Sequence, residues 1–206
     1  MAKEPEKLFS EAAKMSKECN LCREIALKVG DKTEYGAAII CRVGSKKDGW
    51  FATLSPKTGS NPEEDFTIQI MPFAHLTHFS QIDLYPKLAE NYGRIFSKAS
   101  RALTEVMMSE KKLEAASKKK DGAASVAIYG KCTTWLEKKE HLHIKIFPFR
   151  GNIGQPYTVD SSFGKKQAFR DDSGEEFVKM KPVRKVVLSE ERFEELKDKL
   201  IRILEG

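Results

Sequence analysis

Glu140-His141-Leu142-His143-Ile144-Lys145-Ile146-Phe147-Pro148 alternates apolar and polar residues from His141 to Ile146. Successive side chains of a β-strand point to opposite faces. A strand here therefore puts Leu142, Ile144 and Ile146 on a face fit for a core, and His141, His143 and Lys145 in a row on the other. Two of the chain's four histidines lie in this stretch. A half-exposed strand with a polar outer face would look the same, so the row acquires chemical meaning only from what surrounds it.

Downstream, Pro148 is expected to end the strand. The segment Phe149 to Tyr157 then holds Gly151 and Gly154 and no acidic residue. It reads either as a phosphate cradle or as an ordinary turn. Residues 158–175 are polar and turn-like, and Phe177 to Leu188 reads as one or two strands broken near Pro182. Ser189 is a fit N-cap for a final helix, with Glu190 and Glu191 in its first turn and Phe193, Leu196, Leu200, Ile201 and Leu204 along one face.

Upstream, residues 123–129 form a strand pattern. Before them, Pro86 to about Lys118 reads as one long amphipathic helix, its stripe running through Leu88, Tyr92, Ile95, Ala99, Leu103, Val106 and Met107. Pro86 suits a first turn, while Lys118, Lys119, Lys120 and Gly122 suit a helix end. Phe66 to Met71 alternates and stops at Pro72, with His75 three residues on. Tyr35 to Val43 and Trp50 to Leu54 read as a hairpin around the turn-rich Gly44–Gly49. Residues 4–18 are expected to be a helix with Leu8, Ala12, Met15 and Cys19 on one face.

The helix leads into Cys19-Asn20-Leu21-Cys22. Two intervening residues let both sulfurs converge on one ion, the half-site spacing of tetrahedral zinc. A redox pair is the other reading, although the thioredoxin-like context it needs is absent. Cys41 and Cys132 sit in apolar segments and read as buried thiols. With 206 residues the chain is long enough for one large domain, and 40% hydrophobic residues supply a sizeable core. The net charge of +6 fits anionic partners but is modest enough to serve solubility alone. No apolar run nears the length of a membrane span, and the charged N-terminus leads into no signal-type core, so a cytoplasmic protein is expected.

The sum is an α+β chain of antiparallel strands with a long central helix and shorter helices at both ends. The order of its features resembles the histidine-triad (HIT) superfamily of nucleotide hydrolases and transferases: a C-x-x-C near the N-terminus, Met71-Pro72-Phe73-Ala74-His75, a long helix, then His141-Leu142-His143-Ile144-Lys145-Ile146-Phe147-Pro148. The resemblance implies a HIT-like domain over 1–150, with 151–206 as a C-terminal extension packed on it. It implies a structural zinc held by Cys19, Cys22, His75 and His141, with His78 a rival for His75. It makes His143 the nucleophile that attacks the α-phosphorus of a nucleotide, giving a nucleotidyl-histidine. The third triad position departs from the pattern. Lys145 stands where hydrolases have His and transferases tend to have Gln, which leaves open a hydrolase, a transferase, or a module that binds nucleotide or nucleic acid without turnover. Lys138, Lys139, Arg150, Asn152 and Gln155 are the further candidates for substrate binding. A nucleotide or other phosphate-bearing small molecule is the implied partner, nucleic acid is not favoured, no membrane is involved, and a homodimer is expected.

Overall fold

The computed structural model describes residues 14–58, 62–63, 65–110, 124–129, 138–149, 166–170, 174, 176–180 and 186–206. In chain order these form α1 (Asn20–Glu24), β1 (Ala38–Val43), β2 (Trp50–Leu54), β3 (Lys57–Thr58), β4 (Ile68–Pro72), a 3-10 helix (Phe79–Leu84), α2 (Pro86–Ser109), β5 (Ala124–Tyr129), β6 (Ile144–Phe149), β7 (Lys166–Arg170), β8 (Glu176–Met180), β9 (Val186–Val187) and α3 (Glu190–Glu205). A five-stranded sheet runs β1-β2-β4-β6-β5, and each neighbouring pair is antiparallel. Two small ladders join β3 to β9 and β7 to β8. The α+β class is as expected. No helix among the described residues is long and apolar enough to cross a membrane.

Period-two alternation gives the sheet two different faces. Trp50, Ala52 and Leu54 on β2, Ile68 and Ile70 on β4, and Ile144 and Ile146 on β6 all point to one side and are buried against α2 and α3. From α2 come Leu88, Ile95, Leu103 and Val106, each fully buried, and burial of one such side chain contributes roughly 1.5–3 kcal/mol. Phe193, Leu196, Leu200 and Leu204 of α3 complete this core. The C-terminal helix thus packs on the same core as the central helix. Ser189 Oγ accepts from the Arg192 amide at 3.2 Å and caps α3, as its residue type predicts.

The opposite face carries Ile39, Phe51 and Met71, which pack on Cys19, Cys22 and Ile25 of the N-terminal knuckle and on Phe73. Arg42 fastens that knuckle: Nη2 donates to the Ile25 carbonyl at 2.8 Å, Nη1 donates to the Leu27 carbonyl, and the guanidinium lies 4.5 Å from the centre of the Phe73 ring. The hairpin turn between β1 and β2 is held against α2 by buried Asn91, whose amide donates to the Asp48 carbonyl at 3.0 Å. Gly44 opens this turn at φ +81°, so close to the Asn91 amide that any side chain would collide with it.

Three expectations about the elements are corrected. The helix expected over 4–18 does not extend through its described part: residues 14–18 are turn and bend, and Met15 is exposed. The Ser16 hydroxyl accepts the Glu18 amide at 3.3 Å, a local bond that competes with helix, and the helical turn starts only after Cys19. The central helix closes at Ser109 rather than near Lys118. Glu110 caps it and is gripped by Arg192 at 2.7 and 2.9 Å, while the expected lysine and glycine end, 118–122, lies outside the described residues. The strand expected over 140–148 is Ile144–Phe149. It passes through Pro148 because β4 pairing stops at Ile146, so the missing proline N–H interrupts no bond to β4.

Candidate metal centre and adjoining pocket

Ahead of β6, His141 to His143 are outside the ladder, yet their side chains keep alternating. The Leu142 amide donates to the Leu76 carbonyl at 2.6 Å, and Leu142 is buried. His141 and His143 therefore stay on the knuckle side of the sheet. His141 turns toward the cysteines. Its Nδ1 lies 3.5 Å from Cys19 Sγ and 3.6 Å from Cys22 Sγ. His75, three residues past the end of β4, places Nδ1 3.2 Å from Cys22 Sγ. All four residues are buried, and their ligand atoms lie within 4.8 Å of one another, so the group can hold a metal ion. His141 Nε2 is 3.0 Å from the Pro72 carbonyl. With the proton on Nε2 donated to that oxygen, Nδ1 keeps its lone pair toward the thiols.

The short helix α1 suits this purpose. Cys19 precedes its first residue with extended backbone, and Cys22 follows within the turn, so both sulfurs face the two imidazoles. Cys22 hydrogen-bonded to Cys19, with help from both histidines, drives the Cys19 thiol down to about 2 against the opposing effect of burial, and its own thiol is pushed up in return. The arrangement thus favours thiolate at Cys19, the form that binds metals. His78 takes another role: its Nδ1 accepts from the Ser80 amide at 3.2 Å and caps the 3-10 helix.

His143 and Lys145 face a pocket of about 310 Å³ on the same side of the sheet. The ladder register explains the wall. Thr53 of β2 pairs with Gln69 of β4, and Gln69 pairs with Lys145 of β6, so three polar side chains line up across three strands. Thr67, Ser55, Lys57, Thr58 and Phe147 extend the lining, and Leu21, Glu24, Thr33 and Tyr35 close it from the knuckle and the loop before β1. His143 Nδ1 lies 3.1 Å from the His141 carbonyl. Donation of Nδ1–H to that oxygen fixes the tautomer and leaves Nε2 with its lone pair. Burial pushes the His143 imidazole below its usual pKa and the Lys145 charge pushes the same way, against the hydrogen bond to the His141 carbonyl. Burial likewise lifts the Glu24 carboxyl to about 7, opposed by its bond from Thr33. Thr53 and Thr58 are 1% and 2% exposed, and their hydroxyls have no hydrogen-bond partner among the described residues.

Of the residues singled out from the sequence, six come together here: Cys19, Cys22, His75 and His141 in the cluster, His143 and Lys145 in the pocket. Lys138 and Lys139 do not join them. The strand starts too late to carry them, and both are exposed in a bend ahead of it, away from the pocket lining. Arg150, Asn152 and Gln155, with the loop that holds them, lie outside the described residues, as does Cys132. Cys41 is a buried thiol, as expected. Sequence reasoning missed Glu24, Thr33, Thr53, Thr58 and Gln69. Alternation within Phe66–Met71 and Trp50–Leu54 marks Gln69 and Thr53 as outward-facing, but only the register joins them to Lys145. Glu24 has no local signal.

No family model matches the chain, and no curated protein and no solved structure matches it.

Proposed function

We propose that the chain is a HIT-like, zinc-stabilised enzyme that cleaves a nucleotide substrate at its α-phosphate, as a hydrolase or nucleotidyltransferase. The observation that carries this reading is the His143 imidazole, tied through Nδ1 to a backbone carbonyl at 3.1 Å beside Lys145 in the pocket. An imidazole so held is ready as a nucleophile. Nε2 would attack the α-phosphorus, forming a P–N bond as the bond to the leaving group breaks with its electron pair. Water or a second acceptor would then displace His143 and carry the nucleotide away. Lys145 would donate to a non-bridging phosphate oxygen and offset the charge that builds there.

Zinc fits the neighbouring cluster. Bond lengths of about 2.3 Å to sulfur and 2.0–2.1 Å to nitrogen place tetrahedral S and N ligands about 3.5 Å apart, against 3.2–3.6 Å here. Four protein ligands leave no open position, so the metal would brace the knuckle against the sheet. A homodimer belongs to the same proposal and is tested by light scattering.

The test is a ³¹P NMR screen of nucleoside polyphosphates, nucleotide sugars and nucleoside phosphoramidates, with wild type and His143→Ala. Turnover of at least one class by wild type and none by the variant is the expected result. One observation favours a second reading, a binding module with little catalysis: the third triad position is a lysine. That reading predicts nucleotide binding without turnover, unchanged in His143→Ala.

A further inference from the structure

We infer that a cavity between the N-terminal knuckle and the β1–β2 turn is a second binding site, which takes a small apolar carboxylate. The cavity measures about 310 Å³. Met15, Ile25, Ala26 and Phe73 supply apolar walls, and Arg42 and Lys46 supply the charges. Arg42 and Phe73 place it at the ends of β1 and β4, where the turn begins. The pocket of His143 and Lys145 lies farther along the same face, beside Thr53 and Gln69. The two share no lining residue, so binding here is independent of the nucleotide reading.

Arg42 is fixed in place. Two of the five N–H donors of its guanidinium go to the carbonyls of Ile25 and Leu27, and the group lies 4.5 Å from the centre of the Phe73 ring. That ring is itself held, with Phe51 stacked on it at 5.7 Å and Gly49 so close that a Cβ there would strike it. The other Arg42 donors have no partner among the described residues. Lys46 is exposed, and its ammonium has no hydrogen-bond or ion-pair partner among the described residues. No acidic residue lines the cavity among the described residues. Two cations without a counter-charge beside apolar walls call for an anion on a hydrocarbon body. A carboxylate suits a guanidinium that is already oriented, because its paired oxygens match the planar fork and leave acceptor capacity for an ammonium. A neutral apolar ligand would fill the walls and leave the charges unused, and a cation would be repelled. Volume bounds the body: a cavity of about 150 Å³ holds benzene, so this one holds roughly two fused rings or a chain of about eight to ten carbons.

Saturation-transfer NMR titration of the metal-loaded full chain tests this with two matched pairs: 2-naphthoate against 2-naphthamide, and octanoate against 1-octanol. In at least one pair the acid should bind wild type about tenfold tighter than its neutral partner, the worth of one charge-assisted hydrogen bond. Lys46→Ala, a change at an exposed turn position, should cut that advantage about threefold. Ala26→Phe fills the cavity and leaves both cations in place, and should weaken the acid at least about tenfold. Ala26 is exposed, so the larger side chain leaves the core and the melting temperature intact. Equal binding of acid and neutral partner in both pairs, or no binding of either acid at about 10 mM, overturns the site. So does acid binding that survives both Ala26→Phe and Lys46→Ala. Acid binding lost in Lys145→Gln and kept in Lys46→Ala puts the ligand in the other pocket and overturns the site as well.

Discussion

Replacing Cys22 by serine removes one of two sulfur ligands from a cluster whose four members are all buried. Cys22 Sγ is the atom shared by both imidazoles, 3.2 Å from His75 and 3.6 Å from His141, so its loss breaks the set at its centre. A serine hydroxyl does not ionise at neutral pH and is a poor substitute for a thiolate. With a loss of metal affinity of about a thousandfold, the stabilisation that binding confers on the folded state falls by about 4 kcal/mol. At 2–4 °C per kcal/mol for a chain of this size, the melting temperature drops by about 8–16 °C. The assay is thermal unfolding with and without a chelator, beside elemental analysis. Chelator should lower the wild-type midpoint toward that of Cys22→Ser and leave the variant unmoved. Retention of one metal per chain by the variant, or a wild-type midpoint indifferent to chelator, would refute the reasoning.

Lys145→Gln should weaken binding of a nucleoside monophosphate by roughly 10–100-fold, the worth of one charge-assisted hydrogen bond, and flatten its dependence on salt, read by calorimetry at two ionic strengths. Arg42→Ala removes both bonds to the carbonyls of Ile25 and Leu27 and the stacking on Phe73. It should speed metal release to a chromogenic chelator about tenfold while leaving the main core intact. Glu110→Gln uncouples a pair whose side chains are 9% and 10% exposed. Because buried Arg192 would keep only the exposed Glu195 carboxylate at 3.5 Å as a counter-charge, a loss of about 2–3 kcal/mol is expected in urea unfolding.

The elements with strong periodicity were legible. The stripe from Leu88 to Met107 placed α2, and Ser189 with two glutamates placed the start of α3. Asn91 was not legible, since a polar residue inside an apolar stripe reads as exposed until its contact with the hairpin turn is seen. The C-x-x-C spacing marked two ligands. The histidines that join them are 53 and 122 residues away from their cysteine partners, and no local pattern links such distances; only the order of motifs did. The pocket wall was hidden for a related reason. Thr53, Gln69 and Lys145 become one row only through the antiparallel register, and Glu24 reaches the pocket only because Cys22, two residues earlier, turns toward the histidines. Over its described end, residues 14–18, the helix expected before Cys19 gives way to a local bond of Ser16 to the Glu18 amide.

The most direct test is to quench wild type during turnover of a nucleoside polyphosphate or phosphoramidate and to analyse the peptide carrying His143 by mass spectrometry under basic conditions, where a P–N bond survives. A nucleoside monophosphate mass on His143, lost in acid and absent from His143→Ala, is the predicted result. Turnover at full rate with His143 unmodified, or in His143→Ala, would contradict the account.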